Sequence, residues 1–182
     1  AAVRHGLIAL DTEMAKLPIR EAIRCRTDGE LAWQHLQAEV YGPLMPQARL
    51  FDGVLAFLQD CQRRRYPVYV VSHKTEFASR DETQTNLRQA ALAWMQNQGL
   101  LNSEATGLSA ERVFFEGTRR DKIDRVRQLA CTHFIDDLQE VFLESAFPAE
   151  VTRILLTALD HAPNGVHRAA GWDDVARIVF DV

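Results

Sequence analysis

The sequence predicts an α/β fold, a parallel sheet with helices on both faces. Three observations carry this. From Asp52 onward, short apolar runs alternate with longer stretches whose apolar residues recur at helical spacing. The short runs are almost wholly apolar and rich in β-branched and aromatic residues, the pattern of strands buried on both faces. The composition, 47% apolar and 25% charged over 182 residues with 9 Gly and 6 Pro, is that of a globular chain of about one domain with a small insertion.

The elements follow in order. Met14 to Arg26 and Glu30 to Tyr41 read as helices, with Asp11 or Thr12 as a candidate N-cap for the first. Gly42-Pro43 and Pro46 then interrupt the chain. Val54, Leu55, Phe57, Leu58 and Cys61 form one helical face, ended by the polar run Gln62 to Arg65. Pro67 to Val71 reads as a buried strand. Leu87, Ala90, Ala91, Trp94 and Met95 line a helix with Gly99 at its C-terminal cap. Arg112 to Phe115 is a second strand. Thr118-x-x-Asp121 resembles a capping box and opens a helix with Ile123, Val126, Leu129 and Ala130 on its apolar face. Thr132 to Ile135 and Arg153 to Thr157 are the third and fourth strands. A last helix spans Trp172 to Val179, opened by Asp173 or Asp174.

Several classes are disfavoured. The net charge of −4 leaves no basic footprint for nucleic acid or an anionic membrane. No apolar run approaches the roughly 20 residues that span a bilayer, and no signal peptide is visible. Cys25, Cys61 and Cys131 are odd in number, far apart and without metal-ligand spacing. They read as buried or idle thiols of a reducing, cytoplasmic compartment.

Ligands of open parallel sheets sit at the carboxyl ends of the strands. Three such positions carry chemistry: Ser72 after the first strand, Lys122 in the first turn of the helix after the second, and Asp136-Asp137 after the third. A hydroxyl can hydrogen-bond phosphoryl oxygens, and an ammonium near a helix N-terminus offsets their charge. A carboxylate pair suits Mg²⁺, which takes oxygen ligands and substrate phosphate. Each residue alone has a bland reading, as turn, solvated cation or strand end. Their order on successive βα units does not.

The runs Leu50 to Leu58, Val70-Val-Ser-His-Lys-Thr-Glu-Phe77, Val113-Phe-Phe-Glu-Gly-Thr-Arg-Arg-Asp-Lys122 and Thr132-His-Phe-Ile-Asp-Asp-Leu-Gln-Glu-Val141 resemble the haloacid dehalogenase (HAD) superfamily of hydrolases. The resemblance covers residues 50–182, which it implies form a HAD-like, Rossmann-like core. Residues 1–49 resemble the helical insertion, or cap, that precedes this region in many members. It implies Ser72 as the phosphoryl-binding hydroxyl, Lys122 as the family's lysine, and Asp136 and Asp137 as the acidic pair that reaches Mg²⁺. The implied chemistry is hydrolysis of a phosphate ester through an aspartyl-phosphate.

The sequence departs from the family in one respect. The first motif, an apolar strand ending Asp-x-Asp that supplies the nucleophile, is absent from these 182 residues. Gly6 to Asp11 followed by Thr12-Glu13 is the nearest candidate, with Glu13 in place of the second Asp. Since the chain begins Ala-Ala-Val, the motif is expected upstream. In the family this strand lies between the Ser72 and Asp136 strands, so its removal leaves two buried edges unpaired.

Around Ser72, the polar residues His73, Lys74, Thr75 and Arg80 form a candidate substrate loop, with His73 and Lys74 as binding residues. Arg63-Arg64-Arg65 reads as a complement to a helix dipole. Trp33, Trp94 and Trp172 read as packing and His133 as a satisfied buried histidine. His5, His35, His161 and His167 lack metal-ligand spacing. The expected function is a Mg²⁺-dependent phosphatase of a small phosphorylated metabolite, with its nucleophile upstream. The alternative is a non-catalytic HAD-like protein that binds a phosphorylated ligand or a protein partner.

Overall fold

In the computed structural model, residues 1–12, 16–78 and 85–181 are described. Glu13, Met14 and Arg80 lie outside the described residues. The chain divides into two units, one of Ala1–Ala48 with Thr75–Met95, the other of Arg49–Lys74 with Gln96–Val182.

The first unit is helical. Helices α1 (Lys16–Arg24) and α2 (Gly29–Tyr41) form a pair. Their turn is tight: a Cβ on Gly29 would lie 2.3 Å from the Ile23 carbonyl oxygen, so only glycine fits. Ile8, Ile23, Trp33 and Leu36 make the small core. Residues 6–10 form turns rather than a strand, and Arg26 Nη1 holds them by donating to the Gly6 and Leu7 carbonyls at 2.7 and 3.0 Å. The Asp-x-Asp-like reading of this segment therefore finds no strand to stand on. After an interval, α4 (Leu87–Asn97) begins in this unit, and its Trp94 indole donates to Ala48 O at 3.0 Å.

The second unit is mixed α/β. Its helices are α3 (Val54–Arg63), α5 (Ser103–Thr106), α6 (Arg119–Gln128), α7 (Gln139–Phe142) and α8 (Trp172–Phe180). Its strands are β1 (Val70–His73), β2 (Val113–Glu116), β3 (His133–Asp136), β4 (Thr152–Leu156) and β5 (His167–Ala169). Among the described residues all strand pairings are parallel, as the alternating pattern implies. They form two sheets rather than one, β1-β2 and β3-β4-β5.

Local chemistry explains the boundaries. The first strand begins at Val70 and not Pro67, because its partner begins at Val113 and proline has no N–H to donate. The ladder instead runs on past Ser72, to a bond from Lys74 N to Glu116 O at 3.0 Å. Thr118 caps α6 as the sequence suggests, its Oγ1 accepting from Asp121 N at 3.1 Å. Packed around α6 and β3 is the main core: Ile123, Val126, Phe134, Val141, Phe142, Phe147, Val151 and Leu155, with Val71 of β1 against it. Phe134, Phe142 and Phe147 meet at ring distances of 5.5–6.2 Å. A second aromatic group joins α3 to α8, with Phe57 5.1 Å from Trp172 and 5.5 Å from Phe180.

Candidate functional site

The site is built where α6 joins the two sheets. α6 packs on β1 and β2, and from its first turn Lys122 reaches across to the end of β3. There its ammonium donates to Asp136 Oδ2. The two side chains are 11% and 6% exposed, so this is a buried ion pair. The other Asp136 oxygen accepts from Leu138 N at 2.9 Å, in a turn that closes over the strand end. The Lys122 ammonium also stands 5.3 Å from the centre of the Phe134 ring.

Burial raises the Asp136 carboxyl above the ordinary carboxylate range, and Lys122 opposes that rise. Asp137 is exposed and close enough to raise Asp136 further. The two neighbouring carboxylates thus stand in different surroundings. Asp136 is fixed by lysine, backbone and burial, whereas Asp137 faces outward.

Ser72 is half-buried near the carboxyl end of β1, in register with Phe115. Among the described residues no hydrogen bond or ion pair joins it to Lys122 or Asp136, so side-chain bonds unite Lys122 with Asp136 alone. His73 is exposed, and its Nε2 donates to Gly117 O at 3.0 Å, which ties the end of β1 to the loop opening α6. Lys74 continues the ladder through its own N–H.

Glu116 and Arg125 join the site without any signal in the sequence. Arg125 Nε donates to Glu116 Oε1 at 2.7 Å while its guanidinium lies 4.8 Å from the Phe114 ring centre. This pair pins α6 to the end of β2. Their nine-residue separation across a loop gives no helical or strand periodicity to detect. His133 is half-buried rather than buried, its Nδ1 2.9 Å from Thr132 Oγ1. The three tryptophans are packing or capping residues, as expected.

Among the described residues no three His, Cys, Asp or Glu side chains gather to hold a metal ion. Two adjacent carboxylates, one outward-facing, still suit Mg²⁺. This ion keeps several waters and uses one or two carboxylates together with substrate phosphate, rather than an all-protein cage. Among the described residues no helix is long and apolar enough to cross a membrane.

A comparison with protein-family models, curated proteins and solved structures found no match for this chain.

Proposed function

We propose that this chain belongs to a Mg²⁺-dependent, HAD-like phosphatase acting on a small phosphorylated metabolite. In this reading an aspartyl-phosphate forms on an aspartate that lies upstream of the 182 residues. The observation that carries the reading is the split sheet. Among the described residues β1 and β3 each have a partner on one side only. Both pack with α6: β1 directly, β3 through Lys122 and the shared core. A parallel strand set between them would end beside Ser72 on one side and Asp136 on the other. An aspartate there would meet a hydroxyl, an ammonium and two carboxylates, the set that phosphoryl transfer uses.

Each residue then has a task. The Ser72 hydroxyl and the His73 N–H, which points away from β2, hold phosphoryl oxygens. Lys122 keeps Asp136 in place and adds positive charge at the helix start. Asp136 and Asp137 would hold Mg²⁺, which when bound offsets the negative charge of the phosphoryl oxygens.

The test is Mg²⁺-dependent hydrolysis of an aryl phosphate by the protein with its upstream segment. Turnover that chelation abolishes and Mg²⁺ restores is expected. A protein that binds phosphate esters without turnover would instead be the non-catalytic relative.

A further inference from the structure

A second feature stands at the other end of β1 and β2. Gln62, Arg63, Arg65, Tyr66, Pro67 and Arg112 line a groove of about 350 Å³. It lies where the chain enters these strands: Pro67 precedes β1 and Arg112 immediately precedes β2. Ser72 is five residues further along, roughly 17 Å at strand rise. The groove is therefore separate from the candidate site.

Every side chain lining the groove, apart from Pro67, is a hydrogen-bond donor, and none is a carboxylate. In a chain of net charge −4, this is a local reversal of sign. The nearby charges are Asp60, which pairs with Arg63, exposed Glu111, and Arg64, whose guanidinium lies 4.4 Å over the Phe180 ring. Arg112 is held in place: it donates to Gly107 O at 2.9 Å and stands 5.7 Å from the Tyr69 ring centre. Gln62 lies against Gly107, where an added Cβ would come within 2.6 Å of its Oε1. No ion-pair partner for Arg65 occurs among the described residues. Its backbone is left-handed, φ +60°, at the residue just past the α3 cap, a position that favours glycine.

We propose that this groove binds a small anion bearing phosphoryl groups, at a site distinct from the candidate catalytic one. A carboxylate satisfies one guanidinium fork. A diphosphate presents enough oxygens to engage Arg63, Arg65 and Arg112 together, with the Tyr66 hydroxyl and the Gln62 amide as further donors.

Calorimetric titration of the 182-residue chain with inorganic pyrophosphate tests this. Saturable binding is expected, weakened about tenfold in Arg65→Gly and again when Arg112→Gln is added to make the double variant, and unchanged in Arg24→Gln, an exposed arginine outside the groove. Arg65→Gly relieves the left-handed strain, so a melting temperature at or above that of the parent chain separates lost binding from lost folding. ADP titrated in parallel distinguishes sources: tighter binding than pyrophosphate, with the same arginine dependence, identifies a nucleotide diphosphate, and weaker binding identifies the free anion. Absence of binding overturns the proposal. So does binding that survives the double variant, or that Arg24→Gln weakens as much as Arg65→Gly does.

Discussion

Lys122 and Asp136 make each other tolerable in the core. Either charge alone would be buried without compensation, and removing one partner of such a pair costs about 3–5 kcal/mol. Lys122→Ala is therefore expected to destabilise the second unit by that amount. A Lys122→Met, Asp136→Leu double variant should lose much less, as read by urea unfolding. Equal losses would mean the pair is not coupled. Because Asp136 binds its proton more tightly folded than unfolded, its contribution to stability falls as pH rises from its ordinary value of 3.8 toward the raised one. Asp136→Asn should remove that slope. Both residues were legible from the sequence as strand-end and helix-start chemistry. Their pairing was not, because a separation of 14 positions closes only through the passage from α6 to β3. This pairing also makes Lys122 a poor probe of catalysis, and exposed Asp137 a good one.

At the level of elements, α3 and α6 end alike. In each, the residue after the cap is left-handed without being glycine: Arg65 at φ +60° and Ala130 at φ +49°. In each, the next N–H returns to a carbonyl five residues earlier, Tyr66 N to Cys61 O at 2.8 Å and Cys131 N to Val126 O at 3.2 Å. Ala130→Gly is thus expected to stabilise the chain by about 0.5–1 kcal/mol, visible as a rise in melting temperature; a fall would contradict the cap geometry. The start of α6 could be read in advance because Thr118 and Asp121 supply a local hydrogen-bonding signature. α5, α7 and β5 could not. Three or four residues carry no measurable period, and β5, beginning with exposed His167 and half-buried Arg168, forms only because β4 offers it an edge. The sequence places the start of β1 three residues early because apolar composition marks where a strand is comfortable, whereas its ladder begins where a partner is present.

At the scale of the molecule, parallel α/β architecture was readable from alternation, and its division into two sheets follows from which strands meet. The bond from Lys74 N to Glu116 O fixes the alternation on β1, so Val71 and His73 direct their N–H groups away from β2. On β3, Thr152 N donates to Thr132 O, which directs the Ile135 N–H away from β4 by the same rule. In the 182-residue chain the Val71 and Ile135 amides should exchange with solvent faster than those of Ser72 and Asp136. Equal protection would show that another segment already pairs with these edges.

The most direct test of the phosphatase reading is the rate of Mg²⁺-dependent aryl phosphate hydrolysis by the upstream-extended protein, compared with its Asp137→Asn variant. The variant is expected to keep its melting temperature, since Asp137 is exposed, and to lose turnover by roughly 10²-fold or more. Unchanged turnover in a folded variant would contradict it.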